Sequence, residues 1–257
     1  MPLYDGRKAL VTGAASGIGK HLAYHLVEQG ARVLCSDINE TAGNAAVAEL
    51  NRGRPAEVAY FVKADVTNWL EMVELFRRAV SIFEGNLDFV FANAGTAALG
   101  FPDQAGPPNF TPIMVNLVGV MYTIQVAVNH FREFKTPGRI VVTASQSSLH
   151  PFSGEPVYTA SKFGVLGLVR ATAPRTVREK ILINAVGPGS TTTALMPPDI
   201  EALMNASGLK VSKETIMKAF DLFLTPECKY SGQFAEAVGD NVSLYKFPIP
   251  SFIKNKL

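Results

Sequence analysis

The chain has 257 residues, of which 47% are hydrophobic and 18% charged, with a formal net charge of +2. So even a balance, with the basic residues scattered, argues against nucleic acid as a partner and suits one α/β domain with a large core. No apolar run reads as a bilayer span, and the distant cysteines Cys35 and Cys228 read as free thiols in a reducing, cytoplasmic compartment.

Residues 1–8 lead directly into the first strand, which leaves no room for a signal peptide. The pattern then predicts a strand over 8–12, a helix over 17–29 and a second strand over 32–36. A helix over 41–50, a strand over 58–62, a helix over 68–83 and a strand over 87–92 follow. After a Gly- and Pro-rich loop come a long helix over 112–134, a strand over 139–143, a helix from Tyr158 to residue 178 and a strand over 181–186. Residues 191–226 break the rhythm with Pro197, Pro198 and apolar residues at helical spacing, as a substrate lid would. One more strand is expected over 232–238. Near-continuous apolar strands alternating with helices imply a single-domain, Rossmann-type, doubly wound parallel sheet over 1–257, with about seven strands and helices on both faces.

Thr12-Gly13-Ala-Ala-Ser16-Gly17-Ile18-Gly19 lies where the first strand turns into the first helix. Gly13 permits the tight turn, Gly17 the approach of backbone to a pyrophosphate and Gly19 close helix-to-sheet packing. The helix amino terminus offers N–H groups to phosphates. Asp37, at the end of the second strand, can accept hydrogen bonds from both ribose hydroxyls of NAD and would repel a 2′-phosphate. No basic residue stands at Ser16 or Ile38 to receive that phosphate, so NAD is the expected cofactor. A cap for the segment starting at Asn39 is the competing role for Asp37. Asp65-Val66 is expected at the adenine edge, and Asn93-Ala94-Gly95 at a backbone turn beside the cofactor; either alone is also ordinary turn chemistry.

Ser145 and Tyr158-Thr-Ala-Ser-Lys162 carry the chemistry. Tyr158 and Lys162, four apart, share a helix face, where the ammonium favours the phenolate. With a serine beside it to hold a substrate oxygen, such a phenol is equipped for proton transfer at an alcohol or carbonyl. Asn116 interrupts an otherwise apolar helix, where an asparagine bonding its own backbone is the weaker reading. The pattern calls for no metal.

Together these residues resemble the short-chain dehydrogenase/reductase family over essentially the whole chain, with Asn184-x-x-x-Pro188-Gly189 as a further marker. Asp37 and the non-standard ending resemble its 15-hydroxyprostaglandin dehydrogenase-like branch. The resemblance implies Tyr158 as general acid/base, Lys162 as the holder of the nicotinamide ribose, and Ser145 as the group orienting the substrate oxygen. It also implies a water on Asn116 linking Lys162 to solvent, and Pro188, Gly189, Ser190 and Thr193 around the nicotinamide carboxamide. A homodimer or homotetramer is implied, with Pro174 expected to kink the Tyr158 helix at the dimer surface. Gly187 stands where alanine is common and is expected to loosen the turn before Pro188.

The expected substrate is a lipophilic secondary alcohol or ketone. Its walls are sought in the loop 97–110, residues 146–152, Val157 and the lid 195–224, through Leu99, Phe101, Leu149, Phe152, Leu195, Met196 and Met204, with Gln146 as the polar contact and His150 facing solvent. A biosynthetic reductase or cyclase acting on a bulky intermediate, and a non-catalytic nucleotide-binding relative, are the alternatives. Asn255-Lys256-Leu257 resembles a variant of the peroxisomal Ser-Lys-Leu address, against which a frayed polar tail is the favoured reading.

Overall fold

In each central strand alternate side chains point to opposite faces, and both faces are apolar. Leu10 and Leu34 contribute to one buried cluster, while Ala9, Val11, Val33 and Cys35 contribute to the other. A strand apolar on both faces must be covered on both. The computed structural model, which describes residues 2–191 and 210–248, meets that requirement.

The elements run β1 (Lys8–Thr12), α1 (Gly17–Glu28), β2 (Arg32–Asp37), α2 (Glu40–Asn51), β3 (Ala59–Lys63), α3 (Trp69–Phe83) and β4 (Phe89–Ala92). Then come α4 (Thr111–Phe134), β5 (Gly138–Thr143), α5 (Pro156–Thr176), β6 (Ile181–Pro188), α6 (Lys213–Leu224), β7 (Phe234–Val238) and β8 (Asn241–Leu244). The sheet has eight strands in the order β3-β2-β1-β4-β5-β6-β7-β8. The expectation of about seven misses β8, whose antiparallel pairing with β7 follows a tight turn at Gly239 with positive φ. Its burial alternates between exposed and intermediate, so it lacks the apolar signature of the parallel strands. Strand order reverses between β1 and β4, which opens a crevice at their carboxyl ends.

One layer packs Met72 and Phe76 of α3, Ile124 of α4 and Val165 of α5 against the sheet. The other packs Leu22 and Leu26 of α1 with Ile216, Phe220 and Phe223 of α6. Helix α4 is 24 residues long and apolar enough to cross a membrane by length and composition, contrary to the sequence expectation. Half of its most apolar window is buried inside the protein. It contains a π-helical stretch, Met114–Val118, that periodicity alone does not reveal. Pro174 lies in the last turn of α5, which continues to Thr176 before tightening into a 3₁₀ turn. A proline so near the end removes a hydrogen bond only from the terminal turn. Both cysteines are buried free thiols, and burial pushes Cys35 up to about 12.

Gly187 is a packing position rather than a loosening one. A Cβ there would overlap the ring of Phe234, a fully buried residue of β7. Gly187→Ala should therefore destabilise the fold by about 1–3 kcal/mol through overpacking. Phe234→Leu should recover much of that loss in the double variant. Urea denaturation of the four proteins measures the coupling, and strictly additive effects would reject it.

Candidate active site

The crevice is a cleft of about 1080 Å³. Gly13, Ser16, Gly17, Ile18, Gly19, Asp37, Asp65, Val66, Asn93, Ala94 and Gly95 line one part of it. Ser145, Gln146, Phe152, Tyr158, Lys162, Pro188, Gly189 and Ser190 line the rest. The fold thus gathers nearly every predicted site residue into one concavity. Thr193 and Leu195 lie outside the described residues, as do Met196, Pro197, Pro198, Met204 and the Asn255-Lys256-Leu257 ending. Asn116 is fully buried behind the wall and does not line the cleft.

The glycine turn is built as a cradle. Gly13 and Gly17 take positive φ, and a Cβ on Gly13 would come within 2.7 Å of the Ala94 Cα. A Cβ on Gly19 would strike the Gly13 carbonyl. The first turn of α1 has neither a side-chain cap from Ser16 nor an acidic residue. Its amino terminus is therefore a receptive place for an anion. Asp37 accepts from the Ala15 N–H at 3.0 Å through Oδ2 and from the Asn39 N–H at 2.9 Å through Oδ1. The cap of α2 is Asn39 itself, whose side chain accepts from Ala42 N–H at 3.1 Å. These residues fit a dinucleotide: backbone donors for phosphates at one strand end, a half-buried carboxylate at the next.

Asn93 ties the strand ends together. Its Nδ2 donates to the Thr12 carbonyl at 3.0 Å and the Gly13 carbonyl at 3.3 Å, while Oδ1 accepts from Thr143 Oγ1 at 2.9 Å. Asp65 forms a local turn, accepting from both Thr67 N–H and Thr67 Oγ1 at 2.8 Å while lining the cleft.

Ser145 follows β5, and Tyr158 and Lys162 lie in the first two turns of α5. Lys162 is buried; its Nζ donates to the Thr143 carbonyl at 2.8 Å and stands 5.6 Å from the centre of the Tyr158 ring. Burial lowers the Lys162 ammonium from 10.5 to about 8. Burial also raises the Tyr158 phenol above its ordinary value; a hydrogen bond with Ser145 opposes this, and the Glu155 carboxylate adds to it. The expected lowering by Lys162 is not what sets the phenol in the protein alone, where desolvation dominates.

Asn116 sits in the π-helical stretch. Its Nδ2 donates to the Thr96 carbonyl at 2.9 Å and to Ser161 Oγ at 3.0 Å, while Oδ1 accepts from Thr96 N–H at 2.8 Å. The side chain thus clamps the segment after β4 to the Tyr158 helix. No local backbone bond accounts for it.

The substrate wall differs from expectation. Phe152 and Gln146 line the cleft; Leu99, Phe101, Leu149 and Val157 do not. Leu99 and Phe101 are exposed, and Leu149 packs on the core. Ala97 and Phe110, at the two ends of the expected loop, do line the cleft, and Met114 and Val115 of α4 join them. His150 does line the cleft, although its side chain is 69% exposed. Glu155 also lines it and was not singled out; the available signal was an acid three residues before Tyr158, followed by a proline at the helix start.

A family model described as short chain dehydrogenase matches residues 7–203. The chain is 38% identical over 195 residues to 3beta-hydroxysteroid dehydrogenase 2 of Eggerthella lenta, covering 75% of this chain and 74% of that protein. It is 34% identical over 220 residues to short-chain dehydrogenase/reductase prx4 of Penicillium roqueforti, covering 82% of this chain but only 63% of that protein. A solved short-chain type dehydrogenase/reductase from Mycobacterium marinum superposes with a TM-score of 0.84 at 26% identity, covering 92% of this chain and 96% of that one. With the fold, the glycine cradle and the Ser145–Tyr158–Lys162 arrangement, these matches place the chain in the short-chain dehydrogenase/reductase family.

Proposed function

We propose that the chain is an NAD-dependent oxidoreductase interconverting a lipophilic secondary alcohol and its ketone, with Tyr158 as general acid/base. The observation that carries this reading is that one cleft holds the glycine turn and Asp37 together with Ser145, Tyr158 and Lys162. A nicotinamide cofactor, when bound, supplies the hydride acceptor or donor. Gly17, Ile18 and Gly19 present the start of α1 to its phosphates, and Asp37 has lone pairs beyond its two backbone contacts for ribose hydroxyls. Pro188, the last residue of β6, lines the cleft with Gly189 and Ser190, which follow it. Thr193 is proposed with them from the resemblance.

Ser145 holds the substrate oxygen, and Tyr158 gives it a proton in reduction or takes one in oxidation. The raised phenol suits donation, because the proton is in place at neutral pH. For oxidation the Lys162 ammonium favours the phenolate, and a value of about 8 keeps most of it charged near pH 7. Asn116 acts by position, fixing Thr96 against Ser161 and so the cleft wall against the helix bearing both groups. The apolar wall of Phe110, Met114, Val115 and Phe152 favours a lipophilic substrate. The name of the Eggerthella relative supports a cyclic alcohol. The 15-hydroxyprostaglandin dehydrogenase-like assignment stays within this proposal, resting on Asp37 and the ending. Exposed Met121 and Phe163 on α4 and α5 support a homo-oligomer through that helix pair.

Tyr158→Phe should lower kcat by about a hundred- to ten-thousand-fold while NAD affinity, followed by fluorescence quenching, is unchanged. Retained turnover would refute the acid/base role. An Asp37→Ser, Ile38→Arg variant should move the kcat/KM preference from NAD toward NADP; a wild-type chain that uses only NADP would overturn the reading of Asp37. Lys162 gives a pH test in the cofactor-free protein. Its folded value lies below the ordinary lysine value of 10.5, so charging it destabilises the fold; that penalty is full below about 8 and fades above it. Lys162→Met should therefore raise Tm more near neutral pH than at about pH 10. A pH-independent difference would count against a desolvated ammonium.

A further inference from the structure

Glu155 lines the cleft with chemistry that the proposed reaction leaves unused. It is the N-cap residue of α5, yet its side chain makes no cap hydrogen bond. Among the described residues its carboxylate has no hydrogen bond and no ion pair, and it is half-buried. Its N–H donates to the Phe152 carbonyl at 3.2 Å, and the apolar Phe152, Met114 and Val115 line the same cleft.

The other ionisable groups of the cleft are differently placed. Tyr158 lies one helical turn along, and the Lys162 ammonium is engaged on the Thr143 carbonyl. His150, from the segment after β5, stands 4.0 Å from Glu236 of β7. Asp37 and Asp65 lie at the ends of β2 and β3. Among the described residues Glu155 therefore has no cation of its own, and its charge opposes formation of the Tyr158 phenolate.

A simple lipophilic alcohol filling this cleft would strip water from an unpaired carboxylate and offer nothing in return. A molecule with a second hydrogen-bond donor close to the carbinol would restore the lost bond. It would also draw charge away from Tyr158. We propose that Glu155 is the specificity-determining residue of this cleft, selecting secondary alcohols that carry a neighbouring hydroxyl or ammonium group over otherwise equal monoalcohols. This rests on the oxidoreductase reading above and names its substrate class. The acceptor is a carboxylate, so a vicinal amino alcohol is favoured at least as strongly as a diol.

The test uses the full chain with NAD and three probes of matched ring: indanol, its vicinal diol and the vicinal amino alcohol. The expected kcat/KM of the wild type is about ten- to a hundredfold higher for the diol and amino alcohol than for indanol, as a hydrogen bond to a charged group implies. Glu155→Gln should abolish the extra preference for the amino alcohol, and Glu155→Leu should abolish both preferences. Glu155→Gln should also shift the Tyr158 limb of the pH–kcat profile for indanol to lower pH, which a merely structural residue would not do. Unchanged Tm and NAD affinity establish that the variants fold.

Equal scaling of all three probes in the variants, or a wild type that prefers indanol, would overturn the inference and leave the oxidoreductase reading standing. If the wild type oxidises none of the probes, that reading falls. Calorimetric binding of the same probes to the NAD-loaded proteins then still decides the role of Glu155: tighter diol and amine binding lost in Glu155→Leu supports it, and indifference removes it.

Discussion

The Asn93 side chain is the constraint on which the rest of the site depends. One amide joins the end of β1, through the Thr12 and Gly13 carbonyls, to the end of β5, through Thr143. Thr143 in turn offers its carbonyl to Lys162. The strand ends that carry the glycine turn and the strand end that leads to Ser145 are thus held in register by a fully satisfied buried network. Such networks specify a unique arrangement when every member is bonded, as here.

Asn116 plays the corresponding part on the next layer. By taking both backbone groups of Thr96 and the Ser161 hydroxyl, it fixes the segment after β4 to the helix that carries Tyr158 and Lys162. Its position within a π-helical stretch explains how a helix residue reaches so far from its own backbone. Electrostatics then pull in opposite directions inside this frame. Burial raises Tyr158 and lowers Lys162, so both groups are pushed toward neutrality, while the Ser145 hydrogen bond favours the phenolate.

Much of the site was legible in the sequence because its parts are local. The glycine spacing, Asp37 after an apolar strand, and the Tyr158-to-Lys162 interval each encode geometry within a few residues. The parallel sheet was legible for the same reason: a strand buried on both faces is apolar throughout, as β1 and β2 are. What escaped depended on distant partners. β8 is half-exposed and forms only by pairing with β7. Leu99 and Phe101 looked like pocket walls by hydrophobicity, but they are exposed while Met114 and Val115 of α4 face the cleft. Gly187 looked like a weak turn until its neighbour in space, Phe234, was known. Glu155 was overlooked because a lone acid at a helix start is unremarkable until its missing partners are counted.

The ties that shape the crevice have no proton to lose. Asn93, Asn116, Thr12, Thr96, Thr143 and Ser161 are amide, hydroxyl and backbone groups, none of which titrates in the range where proteins work. The frame is therefore blind to acidity while the residues it holds are sensitive to it. On the proposed mechanism a change of activity with pH would report protons moving at Tyr158, Lys162 and their charged neighbours rather than at these ties.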